Sequence, residues 1–133
     1  MAVALDRRAI GRGMTAYLAI AVPCGLLIAL LHGSDTKGHE SNLWIAAAVL
    51  VVIVAPFVGG AVAGAAQRSP LVHGAVAVAL PASAFLVISS VVRATEGRMG
   101  AADGVTFALY LVVFTGLGML GGYVGFRRRQ RLA

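Results

Sequence analysis

Four uncharged apolar runs, Met14–Leu31, Leu43–Ala66, Leu71–Val92 and Gly104–Phe126, fill most of this 133-residue chain. They hold 18, 24, 22 and 23 residues, and none contains Asp, Glu, Lys or Arg. A helix needs roughly 20 such residues to cross a hydrocarbon core about 30 Å thick. In lipid a single run must satisfy its own backbone amides, and a helix does so. The expected fold is therefore an all-α membrane protein, with four transmembrane helices in an antiparallel bundle. Charged residues are 12% of the chain, about half the share in a soluble domain. The breaks leave no room for a separate soluble domain. The reading is an N-terminal segment 1–13, a transmembrane domain 14–126 and a basic tail 127–133. Arginines precede the first run, as in a signal peptide. That run is longer than a usual signal core and no A-x-A-like site follows it, so it is read as a span.

The breaks carry a lopsided charge. Arg7, Arg8 and Arg12 precede the first span, Arg68 separates the second from the third, and Arg127, Arg128, Arg129 and Arg131 follow the fourth. Eight cations thus fall on one side, against Lys37, Arg93 and Arg98 on the other. The acids run the opposite way, with Asp6 alone beside the eight and Asp35, Glu40, Glu96 and Asp103 across from it. The net is +7 against −1. By the positive-inside rule both termini are expected in the cytoplasm. A basic chain can also suggest nucleic acid, but these arginines sit at span ends, where they meet anionic headgroups. No nucleic-acid partner is expected. The tail arginines read as a membrane-surface anchor, with a docking site for an acidic partner as the sharper alternative.

Boundary residues are legible in the breaks. Ser69-Pro70 places a capping residue before a proline at the first helical position. Ser41 or Asn42 suits the start of the second span, Asp103 that of the fourth, and Gly33 the end of the first. The short break Gln67–Pro70 forces the second and third spans into a hairpin. Trp44 falls at an interface, where indoles are favoured.

Glycine spacing is the strongest packing signal. Gly60/Gly64, Gly118/Gly122 and Gly121/Gly125 are each four apart, about one helical turn, so each pair opens a groove on one face. The third span offers a matching small surface at Gly74, Ala75, Ala77, Ala79, Ala82 and Ala84. Packing, not hydrophobicity, drives helix association in lipid. These glycines are therefore the candidate contact residues, either within the bundle or against another subunit. Aligning Gly60 with Gly121 also places Gly64 on Gly125 and Arg68 on Arg129. That suggests two repeated helical hairpins in the same orientation. Pro23, Pro56 and Pro81 fall near mid-span and are expected to kink their helices. Kinks at one depth can frame a substrate cavity, or simply be tolerated by packing.

The spans lack the residues most membrane chemistry uses. An intramembrane ionisable group usually marks a proton or ion path, and no span holds an acid. Small drug exporters of this length carry a glutamate in the first helix, and Met14–Leu31 has none. His32 and His73 lie about a membrane thickness apart and cannot share one haem iron. Asp35, His39 and Glu40 match no familiar metal spacing, and the lone Cys24 forms no intrachain disulfide. No catalytic residue, metal or cofactor is expected.

The stretch Gly59-Gly-Ala-Val-Ala-Gly-Ala-Ala-Gln-Arg68, followed by Ser69-Pro-Leu-Val-His-Gly74, resembles small four-span bacterial integral membrane proteins. In those a G-G-x-x-A-G helix end runs through an arginine into a histidine-glycine helix start. The resemblance implies a bacterial cytoplasmic membrane location and carries no activity with it. The expected function is non-catalytic: an accessory or assembly subunit packing against other membrane helices. A small homo-oligomeric channel or facilitator built on the proline layer is the alternative.

Overall fold

The computed structural model of the protein describes residues 5–33 and 42–132. The side chains of His32 and Trp44 and the loop residues Asp35, Lys37, His39, Glu40 and Ser41 lie outside it. The described chain is helical: α1 (Arg7–Gly33), α2 (Asn42–Val49), a π-helical turn (Leu50–Val54), α3 (Ala55–Gly64), α4 (Pro70–Thr95) and α5 (Ala101–Leu132). Four stretches, one in each of α1, α4 and α5 and one running from α2 through α3, are long and apolar enough to cross a membrane.

Three boundaries differ from the hydropathy reading, each for a local reason. α1 begins seven residues before Met14, because the Asp6 carboxylate accepts the amides of Arg8 (2.9 Å) and Ala9 (3.3 Å) and so caps a helix that opens on arginines. α5 carries the arginine tail as a continuation of the helix. At 1.5 Å per residue its 32 residues reach about 48 Å, well beyond the hydrocarbon core. The link between α4 and α5 shrinks to residues 96–100. There Gly97 adopts φ 66°, the left-handed conformation glycine tolerates. The amide of Arg98 reaches the Arg93 carbonyl and that of Gly97 the Ala94 carbonyl, a Schellman stop.

Two capping expectations also change in detail. Asp103 lies inside the first turn of α5 and reaches back to the Gly100 amide (2.8 Å), while pairing with Arg93 (2.9 Å). That is the acid half of a capping box. Ser69 stands at the N-cap position of α4, but its side chain makes no capping bond.

The second span is one rod with a widened turn. Pro56 lacks an amide hydrogen and its ring crowds the carbonyl four residues earlier. The chain relieves this by a π turn just before it, closed by the Ala55 amide bonding to the Leu50 carbonyl. Pro56 and Pro81 are buried, whereas Pro23 is exposed on α1. The three therefore do not enclose a common interior within one chain.

The core has two centres. Tyr17, Ala55, Val78, Ala82 and Phe114 form one, and Ile10, Ala63 and Ala77 the other. The second centre sits near the Asp6–Gln67 end, beside a junction of helix backbones. Toward the other end of the α4–α5 hairpin burial fades. No described side chain between residues 84 and 113 is buried.

Candidate functional site

Glycines bring four helices together at backbone distance. A Cβ placed on Gly60 would land on the Gly118 carbonyl, and one on Gly64 would lie 2.5 Å from the Gly122 Cα. On the same face of contact, Gly121 abuts the Phe57 carbonyl and Gly125 the Ala61 carbonyl. Contacts that advance together along both chains make α3 and α5 parallel neighbours. α4 joins from the opposite direction. Gly74 lies against the Gly118 carbonyl, and Gly122 against that of Pro70. α1 is added through Gly13, whose missing Cβ would sit 2.6 Å from Ala63 Cβ and the Gly59 carbonyl, and 2.9 Å from Ala77 Cβ. Such approaches bring Cα–H groups onto facing carbonyls, a weak but repeated attraction, and give the dispersion contact that joins helices in lipid.

All six glycines singled out from spacing thus face another helix of the same chain. Their grooves are filled by the bundle itself, which leaves them no room for a second subunit. Spacing alone did not single out Gly13 or Gly59, and it left Gly74 as one small residue among several. Gly13 sits beside Arg12, outside the apolar run. Gly11, Gly25 and Gly116 are open, so glycine content by itself does not mark the junction.

Beside this junction lies a polar latch between residues far apart in sequence. His73 is 1% exposed. Its Nε2 accepts the Asp6 amide at 2.9 Å, and its Nδ1–H donates to the Ser69 carbonyl at 2.9 Å. The ring is therefore neutral, with its proton on Nδ1 and both nitrogens satisfied. Gln67 Nε2 donates to the other Asp6 oxygen at 3.0 Å. The latch ties the start of α1 to the α3–α4 turn. Asp6 entered the sequence reading only as a charge. A separation of 67 residues gives no local signal for its pairing with His73.

Hydrogen bonds from the Ala9 amide, the Gln67 side chain and the Arg8 amide hold the Asp6 carboxyl below its ordinary value of 3.8, against a small opposing desolvation. A carboxylate favoured in the folded state adds stability above its unfolded pKa and loses it as the pH falls through the folded one. Asp6→Asn keeps the shape but cannot titrate. The melting-temperature gap between wild type and Asp6→Asn should therefore be present at pH 7. It should close as the pH drops past 3.8. A gap independent of pH would show that the Asp6 charge plays no part in the latch.

Four span hydroxyls are satisfied locally. The hydroxyls of Thr15, Ser83, Ser90 and Thr106 each donate to a carbonyl of their own helix, at 2.8–2.9 Å. Such bonds satisfy a hydroxyl locally and keep it from a partner. Among the described residues no three His, Cys, Asp or Glu side chains converge as a metal site would require. The tail residues Arg127, Arg128, Arg129 and Arg131 are exposed on the last turns of α5.

The fold and its glycine junction define the class: a multi-pass helical membrane protein held by close backbone packing. No family model, curated protein or solved structure matches the chain significantly.

Proposed function

We propose that this chain is a non-catalytic accessory or assembly subunit of the bacterial cytoplasmic (inner) membrane, a four-span bundle with both termini in the cytoplasm. The observation that carries this reading is the condition of the polar groups in the spans. His73 has both ring nitrogens hydrogen-bonded, and four span hydroxyls end on their own helices. Among the described residues no three His, Cys, Asp or Glu side chains converge. The orientation rests on charge. The starts of α1 and α4, the turn between α3 and α4, and the end of α5 share one end of the bundle, and eight cations go with them.

The expected partner face moves away from the glycines, because the bundle fills their grooves. It lies instead on the thinly packed end of the α4–α5 hairpin, where Phe85, Ile88, Val105, Leu109 and Val112 are exposed. Membrane helices of a larger complex would cover that face. An internal repeat is part of the same proposal. In the register that sets Gly60 on Gly121, Gly60 meets Gly118 as Gly121 meets Phe57, and Gly64 meets Gly122 as Gly125 meets Ala61.

The alternative, a channel on the proline layer, is less favoured, since Pro23 is exposed and the nearby Ser83 hydroxyl is bonded within its own helix. Purification from native membranes in mild detergent, with mass identification of what accompanies the chain, separates the two. A larger membrane protein at fixed ratio is expected. A symmetric homo-oligomer that passes solute into liposomes would overturn the accessory role.

A further inference from the structure

We propose that a groove between the start of α4 and the end of α5 binds an anionic phospholipid by its headgroup and the upper part of its acyl chains. The groove measures about 410 Å³. Leu71, Val72, Tyr123 and Phe126 give it apolar walls, and Arg68 and Ser69 form a polar rim. The guanidinium of Arg127 stacks 5.4 Å from the centroid of the Tyr123 ring, a lining residue, and is the nearest further cation the stacking places beside the groove. The Ser69 hydroxyl caps nothing in its helix and stays free to donate.

The charge around the groove has no internal counterpart. Among the described residues, the ion pairs are Arg93–Asp103 and Arg98–Glu96, both at the opposite end of the bundle. Asp6 is the only acid in the segments at this end, and Gln67, Arg8 and Ala9 already occupy its carboxylate. Arg68 and Arg127 therefore stand beside an apolar hollow at the depth where α3 ends and the arginine tail begins. That combination suits a ligand that is anionic at one end and hydrocarbon at the other. A free phosphate would satisfy the guanidinium groups and leave the apolar wall wet. A zwitterionic lipid would bring its own cation against two arginines. Guanidinium forks suit phosphate oxygens in geometry as well as charge.

The test uses the full-length protein in vesicles of equal phosphatidylglycerol and phosphatidylcholine with matched acyl chains. Tightly retained lipid is counted by native mass spectrometry after extraction. Phosphatidylglycerol should be retained in excess. Arg68→Gln with Arg127→Gln should lower that retention by about fivefold per arginine, roughly 25-fold for the pair. Arg128→Gln with Arg131→Gln removes the same charge from the same face and should keep it. Helical circular dichroism on each variant confirms that all are folded. Equal losses in the two double variants would show diffuse attraction to the basic end and overturn the site. Displacement of the lipid by glycerol 3-phosphate alone would overturn the lipid as occupant. So would a co-purifying acidic protein whose loss, instead of the lipid's, follows Arg68→Gln.

Discussion

Gly60→Ala should destabilise the bundle by about 3 kcal/mol, at the upper end of the cost of overpacking. The added methyl lands on the carbonyl of Gly118. No flexible side chain stands there to swing aside, so two backbones must separate. Alanine has an intrinsic advantage over glycine in a helix of roughly 0.5–1 kcal/mol, which is too small to reverse the sign. Gly122→Ala faces the Pro70 carbonyl and the Gly74 Cα and should behave alike. With leucine at either position the monomer should not assemble. Gly116 and Gly25 have open space where a Cβ would go. Alanine there should raise stability by about 0.5–1 kcal/mol, the helix advantage with no clash to oppose it. Thermal unfolding in one mild detergent reads all four variants. Equal melting temperatures for Gly60→Ala and Gly116→Ala would remove the junction from any role in stability.

His73→Leu should cost about 0.5–1.5 kcal/mol, the net worth of one hydrogen bond, because the exposed Asp6 amide can turn to water. Leucine roughly replaces the ring's bulk, so the loss reports hydrogen bonding more than a cavity. The Ser69 carbonyl keeps a bond from the His73 amide at 3.2 Å. The Asp6 amide loses its acceptor. The damage should therefore concentrate at the start of α1. Hydrogen exchange should accelerate over Arg8–Gly13, while amides around Gly60 and Gly118 keep their protection. Uniform acceleration across all helices would mean that His73 supports the whole core and is no local latch. The same latch explains why a small bundle can begin a helix on Arg7 and Arg8, residues that repel each other and oppose the helix dipole at its N-terminus. Asp6 supplies the missing negative charge, and His73 and Gln67 hold Asp6 in place.

Much of the fold was legible because a bilayer imposes a length and forbids unpaired amides. Runs free of charge announce spans, and four-residue glycine spacing announces faces that can approach another backbone. Spacing did not say which helix each face meets. Gly60 and Gly121 lie at corresponding places in the apparent repeat, and each meets the other's helix, Gly60 at Gly118 and Gly121 at Phe57. That choice depends on the rotation of α5 about its axis, which no local pattern records. The early start of α1 was hidden because charged residues end a hydropathy run even where a capped helix continues. The π turn had one visible cause, Pro56. Leu50–Val54, an unbroken apolar stretch, gives no hint of a change in hydrogen-bond register. The role of Asp103 was half visible: its helix end was right, and its position within the first turn was not.

The glycine junction is assembled within one chain, and a single cross-link tests that most directly. Ala63 on α3 and Ala77 on α4 are 1% and 0% exposed, and both Cβ atoms border the hollow beside Gly13. Their Cβ atoms are thus no more than about 5.5 Å apart, near the span of a disulfide. Ala63→Cys with Ala77→Cys, in a Cys24→Ser background, is oxidised in native membranes and run without reductant. Cross-linking confined to monomers is the expected result. A disulfide-linked dimer at these positions would contradict it.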